Sequence, residues 1–431
     1  ICCLEEKMKK IIGALLILVF SNLFGEYKYP FKNPYMATIL GSSTLMTDGV
    51  SEAVPTKVYK VKLPNSKEPP ENLWYNGKFE FSLVHQKEKA PLIFLLAGTG
   101  SDYHATRMVL FQRIFYDAGF HVISITSPMH SNFIVNASTN KMPGMIIEDG
   151  KDIYKVMKET YNIVKDDIEV SDFYVVGYSL GGTSSAVVSY LDEKEKAFNF
   201  KRVFMVNPAV DIYSSAVKLD KELNRYTDDD PKKIGVLIDN VISKVSSTLK
   251  GGYTEITEET IYKLFENDIL SNEDMSQLIG LAFRLISIDL NYVTDLLINM
   301  GVYVTEPVGK FANMFPYFEK IDFADFEDYM NRLAYPYYKK KFGGNITLDQ
   351  LLTTTTLKQI ENYLKTTDKI VAVTNRDELI LNENDFKFLE NTFKDRLIIY
   401  PYGGHCGNMF YSENVDVMLK FLKEGVFKYE N

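Results

Sequence analysis

Cysteine is scarce in this chain of 431 residues: there are three, and Cys2 and Cys3 precede the first methionine, Met8. A product starting at Met8 would keep Cys406 alone, which excludes an internal disulfide and a cysteine-built metal cluster. No cysteine follows the apolar stretch Ile11–Phe20, which argues against a lipoprotein anchor. Basic residues are in deficit, 48 against 57 acidic ones, for a net charge of −9. That balance speaks against nucleic acid as a partner, because phosphate recognition needs a clustered basic surface. Tryptophan occurs once, beside 28 tyrosines and 28 phenylalanines. This is mainly compositional bias, with an aromatic binding surface as the secondary reading. Long unbroken apolar runs are also missing. The nearest internal approach, Leu278 to Met300, is interrupted by Arg284, Asp289 and Asp295, so it reads as a buried helix and not as a membrane span.

The composition that is present, 46% hydrophobic and 24% charged, is that of a globular protein. The length suits a core domain with a large insertion. Met8 is followed by Lys9, Lys10 and the apolar stretch Ile11–Phe20. A short basic region before about ten apolar residues is the pattern of a secretory signal peptide. The expected signal covers residues 8–25, with cleavage after Ser21 or Gly25; an uncleaved membrane anchor is the alternative. The expected location is therefore periplasmic or secreted, and export without disulfides fits a bacterial envelope.

From Lys57 onward, strand and helix patterns alternate. "KVYKVKL" and "KFEFSLVH" have the period of two of half-buried strands, and "PLIFLLAG" is continuously apolar, as a strand buried on both faces must be. Met108, Phe111, Phe115 and Ala118 recur at helical spacing, as do Ile153, Val156, Met157, Thr160 and Val164. "HVISIT", "DFYVVGYS" and "RVFMVNPAV" are further strands. This alternation predicts an α/β fold with a mostly parallel sheet covered by helices on both faces. After Asp211 the strand signal stops. Residues 212–368 read as an all-helical cap or lid inserted after the sixth strand, and residues 36–211 and 369–431 as the core. Aromatics are dense between Phe311 and Phe342; helical spacing makes most of them core, and a lid presenting them to an apolar substrate is the functional alternative. The sheet resumes at "KIVAVTNRDE" and "RLIIYPYGGHCG", and a helix from Glu413 to Phe427 closes the chain.

Gly177-Tyr178-Ser179-Leu180-Gly181 fits G-x-S-x-G between a strand and a helix. So tight a turn strains the serine backbone and needs near-absent side chains two residues to either side. The helix N-terminus behind it offers unpaired N–H groups where an oxyanion would form. A serine nucleophile needs a base. Of five histidines, His85, His104, His121 and His130 have bland strand or loop readings, whereas His405 follows the last strand in a glycine-rich turn. The base needs an acid to hold its tautomer. Asp377, after "KIVAVTNR", is favoured by the order Ser, Asp, His; Glu378 beside it and Asp211 one strand earlier remain open. "LLAGTGSDY" supplies the second oxyanion donor: Thr99 N–H beside that of Leu180, with Gly98 and Gly100 letting the backbone approach.

These motifs together resemble the α/β-hydrolase superfamily over residues 57–211 and 369–427. Ala97 stands where many members have histidine, and Thr374 where glycine is common. The resemblance implies a lid in the position of the helical insertion and a catalytic triad of Ser179, Asp377 and His405. It also implies a serine hydrolase cleaving carboxylic esters through an acyl-enzyme, with no cofactor or metal, and the signal pattern at residues 8–25 makes the expected enzyme an exported one. The expected substrate is a small ester or lipid-like molecule bound by Gly98, Gly100, Tyr178, Phe315 and Phe318, with peripheral membrane contact as a possible partner surface. Acyl transfer with the same triad, peptidase action, and a non-catalytic binding role on the same fold are the competing readings.

Overall fold

The computed structural model describes residues 27–43, 49–64, 66–227, scattered positions from 230 to 243, 270–321 and 324–429. The expected signal peptide, residues 8–25, lies outside them. Eight strands form one sheet in the order β1-β2-β4-β3-β5-β6-β7-β8. They are β1 (Thr56–Val61), β2 (Phe79–Val84), β3 (Ala90–Leu96), β4 (His121–Ile125), β5 (Val170–Tyr178), β6 (Arg202–Val206), β7 (Ile370–Asn375) and β8 (Leu397–Tyr400). β2 pairs antiparallel with β1 and β4, and every other pairing is parallel, so β2 alone runs against the rest.

The apolar pattern dictates this arrangement. In β3, Leu92, Phe94 and Leu96 enter one core and Ile93 and Leu95 the other, so both faces need a cover. On one face pack α4 (Ile146–Val164) and α5 (Leu180–Glu195), through Ile153, Met157 and Val187. On the other pack α2 (Thr106–Asp117) and α11 (Ser412–Glu424), through Phe111, Phe115, Phe421 and Leu422. The sequence expectations for all eight strands and these four helices agree with the observed elements to within a few residues, except that α4 begins at Ile146, earlier than its apolar repeat suggested. Among the described residues, three core helices were missed: the short α1 (Pro34–Leu40) and α3 (Ser131–Asn136), and α10 (Glu383–Phe393) between β7 and β8.

Between β6 and β7 the described elements are helical. α6 (Ile212–Thr227) and α7 (Asn272–Ile298) pack side by side, followed by α8 (Phe315–Ile321) and α9 (Tyr335–Lys341). α7 starts with a Ser271/Asp274 capping box, which satisfies orphan N–H groups at its first turn. Two of its interrupting charges, Arg284 and Asp295, are used internally. Arg284 lies buried 3.7 Å from Asp220 and 3.9 Å from Asp325, joining α6, α7 and the turn before Phe326. Asp295 accepts from the N–H groups of Tyr303 at 2.7 Å and Val304 at 2.8 Å. Among the described residues no helix is long and apolar enough to cross a membrane. Of the dense aromatics, Phe326, Tyr329 and Tyr338 are buried, as helical spacing demands. Tyr329 and Tyr338 also donate hydrogen bonds to the Pro143 and Met142 carbonyls, at 2.6 and 2.8 Å, which ties the insertion to the core. The side chains of Phe315 and Phe318 lie outside the described residues.

Candidate active site

β5 delivers Ser179 at its C-terminal end, and α5 begins at the next residue. Ser179 has φ 54° and ψ −124°, a conformation that L-residues avoid. The flanking glycines show why the turn closes. A Cβ on Gly177 would sit 2.2 Å from the Gly181 carbonyl oxygen, and one on Gly181 2.1 Å from that of Leu96. Backbone cannot yield as a side chain can, so Gly181→Ala is expected to cost about 3 kcal/mol of stability by denaturant unfolding. A variant as stable as the parent would show that the turn has room.

His405 stands in the turn after β8. Its Nε2 is 2.9 Å from Ser179 Oγ, and its Nδ1 is 2.8 Å from Glu378 Oε1. The acid facing the base is thus Glu378, not the expected Asp377. The two neighbours point to different places. Glu378 turns inward, with its side chain fully enclosed, and its second oxygen accepts from Asn207 Nδ2 at 2.7 Å. Asp377 instead accepts the Gly404 N–H at 2.9 Å and so braces the backbone of the histidine turn. Burial raises the Asp377 pKa above the ordinary carboxylate value, although the Gly404 and Gly403 N–H groups oppose it. Asp211, the other alternative, accepts from Ser214 N and Thr355 Oγ1, both at 3.1 Å, as a cap for α6.

Two positioning groups escaped the sequence reading. Asn207, at the end of β6 with φ 44°, fixes Glu378. Thr38 of α1 accepts the His405 N–H on its hydroxyl at 2.9 Å. Neither carries a motif; an asparagine just past a strand, a residue type that tolerates positive φ, was the one available signal. The other histidines have separate employment: His121 is buried in β4, His130 accepts from Asn132 N at 3.2 Å to cap the short helix Ser131–Asn136, and His104 pairs with Asp102 at 3.1 Å.

Burial by itself would lower the His405 pKa. The electrostatic and hydrogen-bonding influence of its neighbours Cys406 and Glu378 outweighs it, so the pKa lies above its ordinary 6.5. Cys406 is fully buried, with Sγ 3.8 Å from His405 Nε2.

A cavity of about 470 Å³ opens over Ser179 and His405. Gly98, Thr99 and Tyr178 line it with them, and so do Leu278, Phe283 and Ile286 of α7. Tyr178 is buried and stacks on Phe111 with ring centroids 6.1 Å apart. Gly98 is needed there because a Cβ would lie 2.6 Å from the Tyr178 ring. Gly100, expected at the substrate, is absent from the cavity wall; it has φ +69°, and a Cβ on it would meet Ile286 at 2.7 Å, so its smallness admits α7. A second, apolar crevice of about 30 Å³ reaches Ser179 past Leu180, Ala209 and Ile212. Among the described residues no group of three His, Cys, Asp or Glu could hold a metal ion.

The strand order, the single reversed strand and the strained serine between β5 and α5 define an α/β-hydrolase fold. No family model matches the chain, and no curated protein matches it. Among solved structures it is similar to a hyperthermophilic esterase from the archaeon Pyrobaculum calidifontis, at TM-score 0.41 and 13% identity over 97% of this chain and 98% of that one. It is similar also to Est1E from Butyrivibrio proteoclasticus, at TM-score 0.38 and 10% identity over 85% and 96%. A third likeness, at TM-score 0.39 and 9% identity over 88% of this chain, is to the acylaminoacyl peptidase of Pyrococcus horikoshii, of which the chain spans 43%.

Proposed function

We propose that this protein is a serine hydrolase that cleaves carboxylic esters through an acyl-enzyme. The observation that carries the reading is the continuous hydrogen-bonded chain Ser179 Oγ–His405–Glu378, at 2.9 and 2.8 Å, beneath a strained elbow. His405 Nε2 takes the Ser179 proton as Oγ attacks the ester carbonyl. Glu378 accepts from Nδ1–H, which keeps Nε2 as the basic nitrogen and stabilises the imidazolium that forms. The N–H groups of Leu180 and Thr99 receive the developing oxyanion. The tetrahedral intermediate collapses, the alcohol leaves with the proton from His405, and water repeats the sequence to release the acid. The apolar α7 residues over the cavity support an ester as substrate and the insertion as a lid that excludes bulk water.

Labelling with a fluorophosphonate probe, followed by turnover of an ester panel, tests the reading. Covalent labelling at Ser179 with release of acid is expected; an unlabelled, folded protein would overturn it, and acyl transfer to an added alcohol with no free acid would convert it to a transferase.

The pH dependence has a definite sign. The base works only when His405 is neutral, and its pKa is raised, so kcat/KM is lost as pH falls through a value above 6.5. A kcat/KM profile between pH 5 and 10 checks this; a midpoint below 6.5 counts against the Glu378–His405 pairing.

A further inference from the structure

The cavity over Ser179 contains a cation that ester hydrolysis does not require. Arg107, at the start of α2, lines it with Ser179, Tyr178 and His405. No aspartate or glutamate lines that cavity. Arg107 donates from Nε to Ser42 Oγ at 2.8 Å and from Nη2 to the Thr38 carbonyl at 3.3 Å, and among the described residues it pairs with no carboxylate. Those two bonds fix the plane of the guanidinium and leave N–H groups over, since arginine carries five. A half-buried guanidinium with neutral partners is unusual, because charges held away from water are normally paired. The fork matches a carboxylate, which can accept two parallel hydrogen bonds. The rest of the wall, Ile39, Leu278, Ile279 and Ile286, is apolar and suits a short methylene chain. The cavity, about 470 Å³, falls within the usual size for a small-molecule site.

We infer that Arg107 is a specificity-determining residue and that the substrate is an ester bearing a carboxylate, whose charge the guanidinium supplements with paired hydrogen bonds while Ser179 attacks the ester carbonyl. The inference rests on the hydrolase reading above and adds an anionic group to the small ester expected from the sequence.

Two matched ester pairs test it. The first places the charge on the acyl side: the p-nitrophenyl half-ester of glutaric acid against p-nitrophenyl pentanoate. The second places it on the alcohol side: 4-carboxyphenyl butyrate against phenyl butyrate. The readout is the anionic-to-neutral ratio of kcat/KM in wild type, Arg107→Gln and Arg107→Lys. A hydrogen bond to a charged group corresponds to a factor of about 10 to 100 in affinity. R107Q is therefore expected to lower the ratio by about that factor in one pair, chiefly through KM, and R107K to restore part of it. The pair that responds identifies the half that carries the anion. Raising the salt should lower wild-type kcat/KM on the responding anionic ester and not on its neutral partner. Ratios within threefold of wild type in both pairs, or a wild type indifferent to salt and charge, would overturn the assignment. Fluorophosphonate labelling of each variant separates the two levels: absent labelling in the folded wild type defeats the hydrolase reading, while normal labelling with no charge preference defeats the Arg107 inference alone.

Discussion

Ser179→Ala is expected to abolish fluorophosphonate labelling and to lower kcat by about 10⁶-fold, the scale on which serine hydrolases lose activity with their nucleophile. Among the described residues the hydroxyl has one hydrogen-bond partner, His405 Nε2, and it stands at the end of the chain that runs on to Glu378, which keeps its other contacts without it. Its removal therefore takes away the attacking atom and little else. The backbone at φ 54° costs about 1–3 kcal/mol whether serine or alanine occupies it, so the strain cancels between the two proteins. Unfolding midpoints should agree within a few degrees while activity vanishes. A residual rate above the uncatalysed reaction is expected, because the Leu180 and Thr99 donors remain. Turnover by S179A at the parental rate would place the chemistry elsewhere in the molecule.

The sheet was legible because its strands report their own burial. "PLIFLLAG" can be satisfied only between two covered faces, and the helices beside it show their stripes at Met108, Phe111 and Phe115. The elbow was legible for a different reason: at Gly177 and Gly181 a Cβ would strike main-chain carbonyls, and local sequence records such a constraint directly. The acid was less legible. Asp377 and Glu378 are neighbours in a turn, where no period assigns a facing direction. Their difference is made by Asn207, distant in sequence, and by the turn after β8. Arg107 was overlooked for a similar cause. On α2 it reads as a solvated helical residue, and the cavity that gives it meaning is walled in part by α7, far along the chain. Contacts of long sequence separation decided what local pattern left open.

Glu378→Gln is expected to reduce kcat by about 10⁴-fold, the loss seen for the equivalent amide substitution in a Ser-His-Asp enzyme, whereas Asp377→Asn should cost less than about tenfold. Glu378 uses both oxygens: Oε1 faces His405 Nδ1 and the Ile380 N–H at 3.3 Å, and Oε2 accepts from Asn207. Glutamine has one oxygen for these two directions. With its NH₂ toward His405, it stabilises the tautomer whose Nε2 carries the proton and cannot take one from Ser179. With its oxygen there, the negative charge that supports the imidazolium is still gone. Asparagine at 377 keeps an oxygen for the Gly404 N–H, and because burial already disfavours the Asp377 anion, a neutral isostere changes little. The two variants also separate in pH. Loss of the Glu378 charge removes part of what holds the His405 pKa up, so the acid limb of whatever activity remains in E378Q should move to lower pH. In D377N it should stay near the parental position. A profile in which D377N falls further and carries the shift would return the acid's role to Asp377 and leave Glu378 as its buried support.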